Sequence, residues 1–476
     1  MADTQTIQPH LSGAIAPVRS EDDFELKVVG RIPDALAGAY YRNGPNPQFD
    51  PQGNYLAIFG DGMIHGFFLE PNKDGGRAHG GRARYRNRWV RTPRWQAENK
   101  AGRQLFGYMG DPSDPSVANV DRSTANIHVV HHAGKLMALQ EHSEPFELDP
   151  EGLERGAFLN TGGKRTAHPK IDPETGEMVW FAYFAGPQPF SNLVDYGVTD
   201  KTGKVTRRDR FAAPYASMIH DFMVTRNYVM FPVMPLAGDL ERAMKGLPPM
   251  AWEPEKGGFI GVMKRNANVD SIRWFEIEPK FFLHSMNAWE DGKKIHCELT
   301  EFHHPPVFPN ADGSPSRPTE ARLTRWTIDL AGNTNRAQRE PIDDLNSEMP
   351  RFDDRRAGLP YRHGWYMASV GSKDPLHSSD LIRLMHNAIV HLDLKTGQRA
   401  VRVLDPGDVA GEPVFVPRSA SAPEGDGYII ALVHRAATNT GELLILNAQD
   451  IAGEPAAVLK VPRRVPPGFH GNFVPA

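Results

Sequence analysis

Residues 171–181 read IDPETGEMVWF. An apolar residue, a turn rich in acidic side chains, Pro and Gly, and a longer apolar segment follow one another, which is the pattern of a β-hairpin. The pattern recurs in five places, at residues 148–153, 197–205, 289–295, 328–333 and 392–398. Because hairpins are spread over the chain and helical periodicity is rare, the sequence predicts an all-β protein.

The spacing of these hairpins favours one architecture. Their period is irregular, and a β-sandwich of 476 residues would have to divide into domains. We therefore predict a single β-propeller domain over residues 1–476, with residues 1–12 flexible and with loops and short helices forming a cap over one end of the axis. The clearest helical window runs from Asp239 to Lys245. In a propeller the innermost strands converge, so residues far apart in the sequence can meet on the axis.

Composition and motifs exclude several functional classes. The net charge of -4 provides no basic surface for nucleic acid. Cys297 is the only cysteine, which excludes disulfides and zinc knuckles, and its strand context predicts a buried, inert thiol. The common phosphate-loop, dinucleotide, metalloprotease and serine-hydrolase motifs are not found. Residues 1–25 contain no apolar run typical of a signal peptide, so we expect a cytoplasmic protein.

Four histidines share a setting at the edge of an apolar, strand-like segment: His168, His220, His284 and His470. The last lies in the C-terminal segment RVPPGFHGNFV, residues 464–474, whose two aromatic side chains and Pro-Pro-Gly turn suit docking. We expect this segment to complete the last blade and to join the two chain ends. Spacing alone does not identify a metal site, because a given one of 19 histidines is more often a packed or surface residue.

Several blocks resemble the carotenoid cleavage oxygenase family: YRNGPNP (residues 41–47), GDGMIHG (60–66), MIHDF (218–222) and RVPPGFHG (464–471). The resemblance extends in order from about Gly13 to the last residues. It implies a seven-bladed propeller that holds ferrous iron through His168, His220, His284 and His470. It also places the carboxylates that orient these ligands at Glu141, Glu348 and Glu412, and gives His65 a packed, structural role.

The chemistry of this ligand set agrees with the resemblance. Neutral imidazoles suit Fe(II), and four of them leave octahedral positions open for dioxygen. Carboxylates that accept the second imidazole N–H orient the ligands and make them more basic. The resemblance implies a dioxygenase that cleaves a conjugated carbon–carbon double bond to two carbonyl products, without flavin, nicotinamide or haem.

The substrate divides the family, and the chain carries marks of two groups. Residues 41–47, 84–93 and 464–470 resemble carotenoid and apocarotenoid cleavers, whereas residues 101–108, 360–365 and 422–428 resemble bacterial stilbene and isoeugenol cleavers. Phenol-cleaving relatives have a lysine directly before the first glutamate, where this chain has Gln140. Because glutamine can hydrogen-bond but carries no charge, we favour a carotenoid or apocarotenoid, with a stilbene or phenylpropanoid as the alternative.

Three further positions follow from the same resemblance. Tyr108 matches a tyrosine that binds the phenol group, and Phe59 matches an aromatic side chain that stacks on the phenol ring. Ile127 replaces a threonine that some relatives have beside an open iron position, and we expect it to crowd that position.

The remaining expectations concern partners and alternatives. The partners would be a small apolar alkene and O2, and the apolar stretch at residues 231–252 would either contact a membrane during substrate uptake or be buried. A propeller that serves only as a binding scaffold is the alternative outside the enzymes, and a relative that isomerises or hydrolyses its substrate is a third. Four more histidines are expected at the surface or in turns: His131, His132, His303 and His304.

Overall fold

The predicted hairpins are present in the structure, a computed structural model that describes residues 11–53, 55–72, 80–108, 111–371 and 385–476. In the hairpin at residues 171–178, the Asp172 amide donates to the Glu177 carbonyl at 2.8 Å. Gly176 has a φ of 71°, a left-handed value that costs glycine little. The other five predicted hairpins also join antiparallel neighbours. Of the predicted flexible residues 1–12, residues 1–10 lie outside the described ranges.

The described strands form seven blades around one axis, as the resemblance implies. Blade 1 contains β1 (Asp23–Glu25), β3 (Gly38–Pro45), β4 (Gly62–Glu70), β5 (Arg82–Trp89) and β33 (Gly471–Pro475). Blade 2 contains β6 (His128–His132), β7 (Lys135–Leu139), β8 (Phe146–Leu148) and β9 (Gly156–Phe158). Blade 3 contains β10 (Lys170–Ile171), β11 (Met178–Ala182), β12 (Leu193–Thr199) and β13 (Val205–Ala212).

The remaining blades continue around the ring. Blade 4 contains β14 (Met223–Val224), β15 (Tyr228–Val233), β18 (Gly258–Lys264) and β19 (Arg273–Ile277), and blade 5 contains β20 (Phe281–Asp291), β21 (Lys294–Phe302), β22 (Ala321–Asp329) and β23 (Gln338–Pro341). Blade 6 contains β24 (Asn346–Phe352), β25 (His363–Ser369), β26 (Ala388–Asp393) and β27 (Gln398–Val403). Blade 7 contains β2 (Lys27–Gly30), β28 (Val409–Ala410), β29 (Val414–Pro417), β30 (Gly427–Arg435), β31 (Thr440–Asn447) and β32 (Ala457–Val461).

Apolar side chains fill the space between neighbouring blades. Seven buried clusters each join residues of two adjacent blades, so the core is a ring of interfaces rather than one centre. An inner strand of a blade is covered on each face by a neighbouring blade. All five residues of β11 are therefore buried. The outer strand β13 instead alternates partly buried and exposed positions, with only Phe211 fully buried.

A strand near the N-terminus belongs to the last blade, and the C-terminal strand belongs to the first. The C-terminal strand β33 pairs with β3, from Gly38 with Pro475 to Arg42 with Gly471. The N-terminal strand β2 pairs with β32 at the outer edge of blade 7. The C-terminal segment therefore joins the chain ends as expected, but the prediction that it completes the last blade is wrong, since β33 is the innermost strand of blade 1. A closed ring leaves no free edge at this junction.

We expect Gly468→Ala to loosen this closure. An added Cβ would lie 2.7 Å from the Asn43 carbonyl oxygen and would clash with the Arg42 guanidinium, which donates to the Pro466 carbonyl at 2.7 Å. Overpacking of this kind costs about 1–3 kcal/mol. Urea unfolding should show this loss, while Gly332→Ala, where contacts would begin at 3.3 Å, serves as the control. Equal stability of the two variants would contradict a tightly docked segment.

Insertions at one end of the axis form the predicted cap. Helix α1 (Pro93–Ala101) lies between blades 1 and 2, and helix α2 (Leu240–Met244) is flanked by the ribbon of β16 (Leu236–Gly238) and β17 (Met250–Trp252). Phe469, next to His470, packs on the first insertion, and Met218, near His220, packs on the second. The cap therefore covers the region of the candidate ligands.

Helix α2 confirms the predicted helical window, whereas α1 was not predicted. Asp239 caps α2 by accepting from the Arg242 amide at 2.9 Å. The sequence around α1 does carry start and stop residues for a helix. Thr92 is the N-cap, Pro93 lies in the first turn, and Gly102 ends the helix in the left-handed conformation. Its weak amphipathic pattern explains the omission, because buried Arg94 and Glu98 interrupt an apolar face.

The apolar stretch at residues 231–252 is partly buried, as one expectation had it, and partly exposed. Phe231, Val233 and Leu236 are fully buried, while Leu240, Met244 and Leu247 are exposed, Met244 to 81%. None of the described helices has the length and apolarity needed to span a bilayer.

Candidate metal centre

The four candidate histidines lie at or just before innermost strands of four blades. His168 precedes β10, His220 precedes β14, His284 lies within β20, and His470 directly precedes β33. Around the axis, β14 contacts β20, and β33 contacts β6 of blade 2 and β29 of blade 7. The propeller thus brings together side chains that are separated by up to 302 positions, from His168 to His470.

The imidazoles converge through their Nε2 atoms. The Nε2–Nε2 distances are 3.1 Å for His168 and His220, 3.4 Å for His220 and His284, and 3.0 Å for His284 and His470. The rings of His168 and His470 are 4.6 Å apart between centroids. His168, His284 and His470 are buried, and His220 is nearly so.

Three of the imidazoles direct their other nitrogen at a glutamate. The Nδ1 atom of His220 bonds Glu141, that of His284 lies 2.5 Å from Glu348, and that of His470 lies 2.8 Å from Glu412. An ionised carboxylate only accepts hydrogen bonds, so Nδ1 carries the hydrogen and Nε2 presents its lone pair. The three predicted glutamates therefore fix the tautomer in which the imidazoles can bind a metal ion.

Each glutamate has a second partner on its other side. Tyr183 donates to Glu141 at 2.5 Å, and Thr300 donates to Glu348 at 3.1 Å. Glu412 accepts from the Gly471 amide at 2.9 Å and pairs with Arg351 at 3.3 Å. These partners belong to neighbouring blades or loops, and sequence patterns gave no signal for any of them.

Burial and nearby charges shift the pKa values of the imidazoles and carboxylates in different directions. Burial lowers the pKa of His168 well below its usual value, and it lowers that of His470 although Glu412 opposes the shift. Burial would also lower the pKa of His220, but the carboxylates of Glu141, Asp221 and Glu348 together raise it. Burial would raise the pKa of the Glu348 carboxyl, but His284, the Met349 amide and His386 together lower it. Neutral imidazoles are the form that binds metal ions.

Comparison with known proteins identifies the fold family. A family model described as retinal pigment epithelial membrane protein matches residues 15–475. The chain belongs to this family, the carotenoid cleavage oxygenases. The oxygenase is 38% identical to the isoeugenol monooxygenase of Pseudomonas nitroreducens, over 100% of both chains. Its resemblance to the family, its propeller fold and its assignment as an enzyme are therefore confirmed.

Solved structures of two relatives superpose on this oxygenase over nearly its whole length. The lignostilbene dioxygenase of Pseudomonas brassicacearum has a TM-score of 0.90 at 33% identity, covering 99% of both chains. A variant of the Synechocystis apocarotenoid oxygenase has a TM-score of 0.83 at 26% identity, covering 97% of both chains. Family members cleave carbon–carbon double bonds, and the oxygenase shares this reaction class.

The residues at the axis fit the iron that the family uses. The ligand atoms of His168, His220 and His284 lie within 4.8 Å of one another. Neighbouring nitrogens bonded to one ion at about 2.1 Å and at right angles are about 3.0 Å apart, which agrees with the observed 3.0–3.4 Å. Four Nε2 lone pairs directed at one point cannot satisfy one another, so a cation is the natural partner of this arrangement.

The predicted substrate-binding residues occupy the cap and the adjoining edge of blade 2. The rings of Phe59 and Tyr108 stack with centroids 6.5 Å apart and 21° between their planes. Both belong to an apolar cluster that includes Phe469. Gln140 follows β7 and accepts hydrogen bonds from residues 123–125. The Ile127 carbonyl accepts from the His470 amide at 3.1 Å, which places the two backbones side by side, and the Ile127 side chain packs on the apolar cluster between blades 2 and 3.

Sequence reasoning missed one histidine beside the cluster. The His128 ring lies 5.1 Å from that of His470, and its Nδ1 atom is 2.9 Å from the Ala167 carbonyl oxygen. Burial is the main reason that its pKa falls to about 3. Its position at the start of an innermost strand was the available signal.

Of the other residues discussed in the sequence analysis, His65 and Cys297 are packed, and the outer histidines divide between surface and interior. His65 is packed as predicted, with Nδ1 2.7 Å from the Tyr85 hydroxyl, and Cys297 is buried. His131 and His303 are exposed. The prediction for His132 is wrong, because it is buried at 7% exposure with Nε2 2.9 Å from the Gly176 carbonyl oxygen. This contact joins β6 to the hairpin of the next blade, which the sequence of β6 alone does not reveal.

Proposed function

We propose that this oxygenase cleaves the side-chain double bond of a phenylpropanoid or stilbene with O2 and ferrous iron, giving an aromatic aldehyde and a second carbonyl product. The observation that carries the proposal is the full-length match to an isoeugenol monooxygenase at 38% identity. The higher TM-score with a lignostilbene dioxygenase than with an apocarotenoid oxygenase, 0.90 against 0.83, supports the same substrate class. The aromatic alkene, the alternative in the sequence analysis, thus becomes the first candidate.

In this proposal the axial residues hold the iron and keep it reactive. His168, His220, His284 and His470 are the ligands, and Glu141, Glu348 and Glu412 hold three of them in the binding tautomer. When bound, ferrous iron supplies a site at which dioxygen is activated. The Ile127 backbone lies beside that of His470, and in this proposal its side chain narrows the space next to the ligands.

The cap residues bind and orient the substrate. Phe59 and Tyr108 offer a stacking surface for an aromatic ring, and the apolar cluster that includes Phe469 excludes water between this ring and the ligands. The Tyr108 hydroxyl and the Gln140 amide supply hydrogen bonds to a ring substituent. An aromatic ring held here leaves its alkene side chain on the side of His470.

A carotenoid or apocarotenoid remains the second candidate. The uncharged Gln140 favours it, because an apolar polyene needs no charged partner. The exposed side chains of Leu240, Met244 and Leu247 form an apolar surface that would contact a membrane during uptake of such a substrate. Sedimentation with lipid vesicles tests this contact.

We further propose that residues 1–476 act as one domain in the cytoplasm. The exchange of β2 and β33 between blades 7 and 1 ties both chain ends into the same ring. A single buried cysteine suits a reducing compartment.

Anaerobic purification followed by iron analysis and a substrate panel tests the function. We expect about one iron per chain. On addition of air, isoeugenol or resveratrol should give aromatic aldehydes by mass spectrometry, with an apocarotenal and β-carotene cleaved at least about 10-fold more slowly. Cleavage of the apocarotenal alone would establish the second candidate. Protein that neither contains nor takes up iron would contradict the metal centre itself.

A further inference from the structure

Gln140 is fixed so that only one end of its amide is free. Its Oε1 atom accepts from the Thr124 amide at 2.7 Å, the Ala125 amide at 3.3 Å and the Ser123 hydroxyl at 3.0 Å. Backbone N–H groups only donate, so these contacts identify this atom as oxygen rather than nitrogen. Ala125 has a φ of 45°, and such a left-handed residue turns successive amides toward one acceptor.

The nitrogen of the Gln140 amide is consequently available to a ligand. Within the part of the chain that the structure describes, no group accepts a hydrogen bond from Nε2 of Gln140. Because all contacts to its oxygen come from residues 123–125, the amide cannot rotate without losing two backbone hydrogen bonds. Gln140 therefore acts as a donor and not as an acceptor.

A contact with Arg94 also orients the hydroxyl group of Tyr108 as a hydrogen-bond donor to a ligand. Nη2 of Arg94 donates to its hydroxyl oxygen at 3.0 Å. Arginine has no acceptor, so the hydroxyl hydrogen must be donated elsewhere, and none of the residues in the described ranges accepts it. The pKa of Tyr108 is raised, with burial as the main cause, so this hydrogen remains in place at neutral pH.

Arg94 positions Tyr108 without adding net positive charge to the site. It is buried, stacks on Phe106 at 5.0 Å, and lies 3.5 Å from Asp61 and 3.9 Å from Glu98. Two carboxylates thus offset one guanidinium. Arg94, Asp61 and Glu98 together leave no uncompensated cation, and the neighbouring guanidinium of Arg122, 5.7 Å from the Phe106 ring, is exposed to solvent.

The two donors belong to one continuous part of the structure. Tyr108 stacks on Phe59, and the segment that carries Phe59 is held by Asn126, whose amide donates to the carbonyls of Ile58 at 2.9 Å and Gly60 at 2.7 Å. Asn126 directly follows the residues that hold Gln140. Phe59 and Asn126 therefore link the segment of Tyr108 to the segment that holds Gln140.

We propose that this pair of neutral donors recognises the ring oxygen of the substrate only as a hydrogen-bond acceptor, so that the oxygenase cleaves 4-alkoxyphenyl alkenes as well as 4-hydroxyphenyl alkenes. The inference rests on the proposed function and specifies its substrate class. The oxygen of Gln140 is occupied by backbone donors and that of Tyr108 already accepts from Arg94, so a phenolic hydrogen finds no dedicated acceptor, whereas a phenol oxygen and an ether oxygen can each accept from the two donors. A neutral hydroxyl and an alkoxy group also donate electron density to the ring to a similar extent, so ionisation of the substrate is not required.

The test compares isoeugenol, its 4-O-methyl ether and ring-unsubstituted propenylbenzene with the iron-loaded enzyme. Values of kcat/KM for the phenol and the ether should agree within about 3-fold, and that for propenylbenzene should be at least about 10-fold lower. The pH profile for the phenol should be no steeper than that for the ether between pH 7 and 10. Dissociation constants from anaerobic tryptophan quenching should follow the same order, which separates binding from turnover.

Variants of Tyr108 and Gln140 test whether these two side chains set the relative activity on the phenol and the ether. Tyr108→Phe should lower kcat/KM for the phenol and the ether equally, by about 10-fold, with a smaller loss for propenylbenzene. Gln140→Lys should shift the preference toward the phenol by at least about 10-fold, increasingly so at alkaline pH, because the lysine charge favours the phenolate. Gln398→Lys makes the same exchange at an exposed site on blade 6 and should preserve the wild-type ratio.

Two outcomes would overturn the inference in distinguishable ways. An enzyme that turns over the phenol but cleaves and binds the ether more than 100-fold less well would show that the phenolic hydrogen is recognised. An enzyme that cleaves none of the three aromatic alkenes, but cleaves an apocarotenal, would remove the proposed function and the inference together.

Discussion

Replacement of His470 by alanine is expected to abolish tight iron binding and to reduce alkene cleavage by more than about 100-fold, which is the upper end of losses caused by removing only a ligand's hydrogen-bond partner. The imidazole Nε2 of His470 lies 3.0 Å from that of His284, and its backbone amide bonds the Ile127 carbonyl at 3.1 Å. Alanine keeps this backbone contact and removes the metal-binding nitrogen. The effect should therefore fall on the metal and not on the closure of the ring.

Iron content after anaerobic reconstitution, together with thermal unfolding, checks this expectation. His131→Ala removes an exposed imidazole from blade 2 and should retain one iron per chain and full activity. His470→Ala with normal iron content and activity would show that the other three imidazoles suffice and that the fourth ligand was wrongly assigned.

Replacement of Glu412 by glutamine is expected to weaken iron binding by about 10–100-fold. Glu412 orients His470 at 2.8 Å, accepts from the Gly471 amide at 2.9 Å and faces Arg351 at 3.3 Å. Glutamine has the same shape but no charge, so Arg351 would keep only Asp354, at 3.3 Å, as an ionic partner. Because removing one partner of a buried pair outright costs about 3–5 kcal/mol, the free energy of unfolding should also fall, by less than this amount.

Competition with a chelator measures the iron affinity, and urea unfolding measures the stability. Glu348→Gln is the informative comparison, because Glu348 meets Thr300 rather than an arginine. It should weaken iron binding to a similar degree with a smaller loss of stability. Glu255→Gln, at an exposed position before β18, should change neither quantity. Equal stability losses for the Glu412 and Glu348 variants would contradict a specific role for Arg351.

The placement of the metal centre illustrates how the fold converts local sequence signals into a site. Each histidine belongs to a segment that is an ordinary strand edge by itself. The seven interfaces between blades fix how the innermost strands face the axis, and this arrangement sets the Nε2 spacing of 3.0–3.4 Å. Small shifts between blades would therefore alter the metal site before they altered any single blade.

The sequence by itself determined the strands and their hairpins, because alternating apolar residues and turns such as Asp172–Glu177 act over a few residues. It also carried the blocks that place the chain in its family, and through them the candidate histidines and glutamates. The tertiary structure alone decided that β33 completes blade 1, that His128 lies beside His470, and that Arg94 fixes the Tyr108 hydroxyl. These contacts join residues 14 to 437 positions apart through the closure of the ring and the packing of the cap, and no local pattern specifies which buried polar groups will meet there.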